Sequence, residues 1–235
     1  MFFVVAGNSD DSPWVKRELG RACVSRIKER LTVNNIVAVT GGTTLAAVAD
    51  MMQMDCKKTY ILCSCRHEAA LGKAWKMRRI RFARKMAQHT NSNYRLLYVP
   101  DQVSSEVYAS IVTEPSVKEI LDLIKSSNIV IHGIGDAVTM ARRRSTSAAE
   151  WDAITTGHAV GEAFGYYFNE QGEVVCKVRT IGMQLEDLQN VSHVIAVAGG
   201  ASKAKAIQAV IGQGHTSILV TDEGAARELL KSISS

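Results

Sequence analysis

The chain has 235 residues, of which 46% are hydrophobic and 22% charged; this excludes a disordered polar tail and supplies enough apolar material for one buried core. No apolar run approaches ~18 residues, so no segment reads as a membrane span. The net charge of +5 is uneven: residues 66–85 carry eight Lys/Arg against the single acid Glu68, a local +7 that leaves −2 for the rest.

Met1-Phe2-Phe3-Val4-Val5-Ala6 is too short for a secretion signal and runs into polar Asn8-Ser9-Asp10-Asp11, so it reads as a first strand. A helix is predicted over Trp14–Leu31. Ile36–Val39 is an apolar strand leading into Thr40-Gly41-Gly42-Thr43-Thr44 and then a helical pattern from Leu45 to Met52. Further strands are predicted at Thr59–Cys63 and Tyr94–Val99, the second ending at Pro100. Helices follow at Ser104–Val112 and Ser116–Ser126, where Glu114-Pro115 stops one and Ser116 caps the next. Ile129-Val130-Ile131 leads into a loop, His132-Gly133-Ile134-Gly135-Asp136, and a helix from Ala137 to Arg144. Glu162–Phe168 and Glu173–Val178 flank Asn169-Glu170-Gln171-Gly172, the signature of a β-hairpin. Val194–Ala198 leads through Gly199-Gly200-Ala201-Ser202-Lys203 into a helix over Ala204–Ile211. Ser217–Val220 leads through Thr221-Asp222-Glu223-Gly224 into a helix over Ala225–Leu230.

Continuous apolar strands alternating with helices predict an α/β fold: a doubly wound, Rossmann-like, mostly parallel sheet with a β-hairpin insertion. Only three prolines occur and no Pro/Gly/Ser-rich linker breaks the chain, so residues 1–235 read as one domain. Five cysteines, an odd number without a CxxC pair, argue against a disulfide framework or a structural zinc site and favour a reducing cytoplasm.

A glycine-rich loop between strand and helix exposes backbone N–H groups at the positive end of the helix dipole, a cradle for anions and for phosphate above all. Three such loops are present: Gly41-Gly42-Thr43-Thr44, Gly133-Ile134-Gly135 and Gly199-Gly200. In a parallel sheet all three converge on the carboxyl edge, where open α/β sheets bind ligands. Lys203, in the first turn behind Gly199-Gly200, opposes the helix dipole, which a bound anion would explain. Of Arg142-Arg143-Arg144, most of the triplet reads as helix C-capping, with room for one arginine to reach inward and grip phosphate. Glu162 is a candidate acceptor for sugar hydroxyls, although a plain strand-end acid fits its spacing equally. His132 and His158 are candidate general bases, but a histidine beside an apolar strand is more often structural. No nucleophile elbow, P-loop, HExxH motif or metal cluster is present, and Gly133-Ile134-Gly135 lacks the third glycine of a dinucleotide fingerprint.

These residues resemble the effector-binding domain of SorC-type bacterial transcription regulators, and within them the branch that governs glycolytic operons. The segments that carry the resemblance include Gly7-Asn8-Ser9-Asp10-Asp11-Ser12-Pro13-Trp14-Val15-Lys16, Asn35–Thr44 and Tyr94–Pro100. They continue with Glu114–Glu119, His132–Gly135, Glu162–Phe168, Gly182-Met183-Gln184-Leu185, Ala196–Gly200 and Leu219–Ala226. The resemblance implies a fold similar to sugar-phosphate isomerases and deaminases. It also implies a non-catalytic role, with a phosphorylated sugar such as fructose 1,6-bisphosphate as effector, no cofactor, a homo-oligomeric state and repression of transcription. Gly42, Thr43 and Thr44 would hold one phosphate, Lys203 and Arg143 would contact phosphate groups, and Glu162 would contact the sugar. Such regulators reach DNA through an N-terminal helix-turn-helix domain, for which this chain carries no match; it is expected to be an excised domain or a truncated product.

Residues from Cys63 to about Arg84 depart from the family. Where the family has an Arg-Gly-Gly loop and an acidic, amide-bearing helix, this chain has Cys65-Arg66-His67-Glu68-Ala69-Ala70 and then basic Trp75–Phe82. Family-like sequence resumes at Met86, which suggests an out-of-frame window, loss of the Arg and Gln contacts of that loop, and weakened ligand binding. Sequencing the encoding DNA for a compensating pair of small insertions or deletions tests this. Two other functions remain open on sequence: a sugar-phosphate isomerase or deaminase using Asp136, Glu162 or His132 as acid/base group, and a nucleic-acid module using residues 66–85.

Overall fold

A computed structural model describes residues 1–52, 61–64, 87–88, 92–99, 103–144 and 146–233. Residues 65–86, which hold the basic stretch and most of the divergent window, lie outside the described residues, as do Thr59 and Pro100.

In chain order the strands are β1 (Phe2–Val5), β2 (Ile36–Val39), β3 (Ile61–Ser64), β4 (Asn93–Arg95), β5 (Ile129–Gly133), β6 (Gly135–Asp136), β7 (Gly161–Ala163), β8 (Tyr166–Phe168), β9 (Val174–Lys177), β10 (His193–Val197) and β11 (Ile218–Asp222). The helices are α1 (Pro13–Arg30), α2 (Thr43–Met51), α3 (Ser105–Thr113), α4 (Pro115–Lys125), α5 (Ala137–Arg144), α6 (Ala148–Thr156), α7 (Ala204–Ile211) and α8 (Glu223–Ile233). Seven strands form one parallel sheet in the order β1-β11-β10-β5-β2-β3-β4. From β2 the chain moves outward to β3 and β4, returns beside β2 at β5, and moves the other way to β10 and β11. The direction therefore reverses between β2 and β5, the topological switch point at which a crevice opens beyond the strand ends.

Both faces of this sheet are apolar because successive residues alternate between two cores. Val37, Val39, Ile129, Ile131, Ile195, Val197, Ile218 and Val220 face one side with Leu19, Cys23 and Ile27 of α1 and Leu45 and Val48 of α2. Ala38, Val130, Val194, Ala196 and Leu219 face the other, with Ile124 of α4 and Ile207 and Val210 of α7. Tyr94–Val99, expected as a single strand, pairs only over Asn93–Arg95; Leu96, Leu97 and Val99 are buried beyond it without strand pairing. Ser116 does not cap α4: Glu114 stands at the N-cap and Pro115 opens the helix, using the fixed φ and missing N–H of proline where both are harmless.

The expected hairpin is a four-stranded antiparallel sheet, β6-β7-β8-β9. Glu162–Phe168 is not one strand. It folds back on itself through Phe164 (φ 56°) and Gly165 (φ 95°), so that Gly161 pairs with Phe168 and Ala163 with Tyr166. Positive φ at both central residues is what a two-residue turn demands to match strand twist, and Gly165 supplies it without a Cβ. The loop expected over His132–Asp136 is likewise mostly strand, because Gly135-Asp136 pairs with Gly161-Glu162. Tyr166 and Phe168 pack on the main-sheet core, while Tyr167 faces a small core with Ala137, Ala141 and Ile154. Helix α6, which periodicity did not reveal, begins with a capping box in which Ser147 and Glu150 satisfy each other's backbone N–H.

Candidate functional site

The loops after β1, β2, β5, β10 and β11 share the carboxyl edge of the sheet, but they are not chemically alike. Those after β1, β10 and β11 are tied together by the chain's own acceptors. Asp222, fully buried, accepts hydrogen bonds from Ser9 N and Gly200 N (both 2.8 Å) through Oδ2 and from Ala225 N (2.9 Å) through Oδ1. Asn8 Oδ1 accepts from Ala201 N (3.1 Å), and Asp10 accepts from Ser202 N (2.8 Å) and Ser202 Oγ (2.9 Å). A Cβ at Gly200, whose φ is 106°, would collide with the Asp10 carboxylate. The cradle expected at Gly199-Gly200 is therefore filled internally: the amides of residues 200–202 already face carboxylate or amide oxygens.

After β5 the same holds in part. Asp136 Oδ1 caps α5 by accepting from Thr139 N (2.8 Å). Gly133 N donates to Thr40 Oγ1 (3.3 Å) and Thr40 N to Ile131 O (3.0 Å), which fixes the ends of β2 and β5 side by side. Gly135 sits in β6 opposite Glu162.

The start of α2 differs. Gly42 is its N-cap with φ 146°, no side chain caps it, and its first turn holds no acid. A Cβ at Gly42 would meet nothing within 4 Å, so the approach to the backbone is open. Thr43 is exposed, and Gly41, Gly42 and Thr44 are half-buried. At the switch point, then, one helix start presents amides and hydroxyls with no anion against them among the described residues.

Lys203 stands across from this edge. It directly precedes α7, behind a 3₁₀ turn at Ala201–Lys203, and its Nζ donates to Ile134 O (3.3 Å). Burial pushes its ammonium below the usual lysine range, and the neighbouring cations Lys16 and Arg143 push it further; Asp136 and Asp10 act in the opposite sense. Three cations thus share one region, an arrangement that a bound anion would relieve. Lys16, on the first turn of α1, escaped the sequence reading because its distance in sequence hides its place on the same edge.

The arginine of the triplet that reaches inward is Arg144; Arg143 is exposed. Arg144 is 2% exposed, and its Nη2 donates to Glu162 Oε1 (2.8 Å) while Nη1 donates to the Tyr167 hydroxyl (3.3 Å). Glu162 is no exposed strand-end acid: it is 4% exposed, and its Oε1 also accepts from Gly165 N (2.7 Å). Its Oε2 lies toward Gly135, where a Cβ would come within 3.3 Å. His132 is buried against Phe164, with ring centroids 4.7 Å apart, and burial lowers its pKa to about 4. His158 is exposed in the turn that ends α6. The local cue for Asp222 was its place as an N-cap three residues before Ala225; nothing local announced its bonds to Ser9 and Gly200.

Among the described residues no helix is long and apolar enough to cross a membrane. A family described as "Putative sugar-binding domain" matches residues 2–231. The chain is 59% identical over 229 residues to the central glycolytic genes regulator of Priestia megaterium, covering 97% of this chain and 67% of that protein. It is 50% identical over 228 residues to the protein of the same name from Bacillus subtilis, with the same coverage. Among solved structures, a chain from Enterococcus faecalis ascribed to the SorC family of transcriptional regulators superposes with a TM-score of 0.87 at 40% identity, over 97% of this chain and 94% of that one. The full-length sorbitol operon regulator SorC from Klebsiella pneumoniae shares the fold, with a TM-score of 0.83 at 16% identity over 97% of this chain and 75% of that one. The parallel sheet with its antiparallel companion, the cation-lined carboxyl edge and these matches agree: the chain belongs to the sugar-binding domain family of SorC-type transcriptional regulators.

Proposed function

We propose that residues 1–235 form the effector-binding unit of a cytoplasmic repressor of glycolytic genes, and that they bind a phosphorylated sugar at the switch point between β2 and β5. The observation that carries this reading is the contrast along one edge. The amides behind Gly199 and Asp222 are consumed by Asp10, Asn8 and Asp222, whereas the start of α2 has no side-chain cap. One phosphate belongs at Gly41, Gly42, Thr43 and Thr44. The region of Lys203, Arg143 and Lys16 suits a second, with Gly133, Gly135 and Glu162 between the two. Two separated anion-favouring points fit a sugar carrying two phosphates, and fructose 1,6-bisphosphate is the first such compound to test.

The groups an isomerase or deaminase would need are otherwise engaged. Asp136 caps α5, Glu162 is held by Arg144, and His132 directs Nδ1 to a backbone carbonyl. This favours a sensor over an enzyme. The ligand acts by binding one oligomeric state more tightly than another, which changes how the regulator engages DNA.

A thermal-shift titration with fructose 1,6-bisphosphate, fructose 6-phosphate and glucose 6-phosphate tests the reading, combined with sedimentation at each concentration. The bisphosphate should raise the midpoint in proportion to the logarithm of its concentration and at lower concentration than either monophosphate. No shift with any of them, or turnover of glucosamine 6-phosphate or ribose 5-phosphate above background, overturns it.

A further inference from the structure

One buried polar atom beside this edge has no partner. His132 is 2% exposed, and its Nε2 makes no hydrogen bond. Its Nδ1 lies 3.2 Å from the Gly133 carbonyl, which can only accept, so Nδ1 carries the proton and Nε2 is a bare lone pair. A buried acceptor left unpaired is costly, and its complement must be a donor.

The position of the ring narrows the choice of donor. By the alternation along β5, His132 faces the same side as Val130, beneath the second sheet, with its ring against Phe164. Gly133, the next residue, is bonded to Thr40 at the mouth of the Gly41-Gly42 turn. Glu162 is near enough to act on the ring electrostatically, but as a carboxylate it only accepts. Phosphate oxygens also mainly accept at neutral pH. What a phosphorylated sugar adds beyond phosphate is the neutral O–H group, the donor that this lone pair lacks.

We propose that His132 Nε2 accepts a hydrogen bond from a hydroxyl of the bound sugar phosphate, which makes His132 the residue that reads the sugar while the edge loops read phosphate. The inference rests on the phosphosugar reading of the site. Phe164 packs against the ring, so a ligand hydroxyl must reach Nε2 past it. An ordered water would offer the same donor, and the experiment separates the two sources.

The test follows the Nε2 resonance of the wild-type chain labelled with ¹⁵N-histidine, at neutral pH, on adding fructose 1,6-bisphosphate or inorganic phosphate. The expected result is an Nδ1–H tautomer whose Nε2 signal moves to its hydrogen-bonded position with the bisphosphate and stays in place with inorganic phosphate. In parallel, H132F should weaken bisphosphate binding about tenfold, the worth of one hydrogen bond, and leave inorganic phosphate binding within about twofold. H132Q, which keeps an acceptor, should recover part of the loss. An Nε2 already bonded before ligand is added identifies a resident water and overturns the proposal, as does a signal that moves equally with both ligands. A wild-type chain that binds the bisphosphate while His132 stays silent refutes only this inference; a wild-type chain that binds no phosphosugar refutes the reading of the site as well. The spectroscopic arm uses the unaltered chain and stands even where a variant fails to fold.

Discussion

Arg144 and Glu162 form an ion pair at 2.8 Å with 1% and 5% of their side chains exposed, beneath the turn at Phe164-Gly165. The pair joins the end of α5 to β7, and Glu162 in turn holds the turn through Gly165 N. Removing one member strands a buried charge, which costs about 3–5 kcal/mol, whereas replacing both by apolar groups is often neutral. Arg144→Met should therefore lower stability by about that amount in urea unfolding, and Arg144→Met with Glu162→Leu should restore most of it. A single variant as stable as the parent would show that the pair is not closed in solution.

Asp222 offers a second test, because one carboxylate holds three loops. Asp222→Ala leaves Ser9 N, Gly200 N and Ala225 N without their acceptor, at a cost of about 3 kcal/mol or more in unfolding free energy. Asp222→Asn keeps a single carbonyl and should fall between the two. If the amides of residues 9 and 200 exchange with solvent deuterium at the same rate in Asp222→Ala as in the parent, the shared acceptor is not what protects them.

The sequence disclosed the main sheet because its strands are apolar on both faces and its helices begin at recognisable turns; β2, β5, β10 and β11 fall where the apolar runs lie. It disclosed the hairpin of β8 and β9 but not the rest of the second sheet, because Gly165 inside the aromatic run Phe164–Phe168 marks a turn that the apolar pattern does not show. Helix α6 was hidden because its apolar stripe is short, yet its Ser147/Glu150 capping box was legible. The site divides in the same way. The open start of α2 is a local feature, so Gly41–Thr44 could be read. Asp222 and Asp10 close the Gly199-Gly200 cradle from 22 and 192 residues away, and no periodicity reports such contacts. The choice of Arg144 over Arg143 as the inward arginine depends on where Tyr167 and Glu162 fall in β7 and β8, which follows from that same turn.

Lys203 should trade stability for binding. Its ammonium is held below the ordinary lysine range in the folded chain, so between the folded and ordinary values the unfolded chain binds more protons, and stability rises with pH. Below the folded value the penalty for keeping Lys203 charged is present in full, and it fades as pH rises through that window. Lys203→Met should therefore be at least as stable as the parent at neutral pH and lose the rise on the alkaline side. It should also bind fructose 1,6-bisphosphate at least about tenfold more weakly, as expected for a lost charge-assisted contact. Undiminished affinity in calorimetry would remove Lys203 from the site.

His132 should make the fold sensitive to mild acid. Burial lowers its pKa from 6.5 to about 4, so between these values the unfolded chain takes up a proton that the folded chain refuses. The sign follows directly: stability contributed by neutral His132 is complete above pH 6.5, declines as pH falls through that window, and reaches its floor near the folded value. H132F has no such group, so its melting temperature should fall less between pH 7 and pH 4.5 than the parent's, with the carboxylates giving both the same background slope. Parallel curves for the two proteins would mean that the folded ring takes up a proton as readily as the unfolded one, and that burial does not hold it neutral.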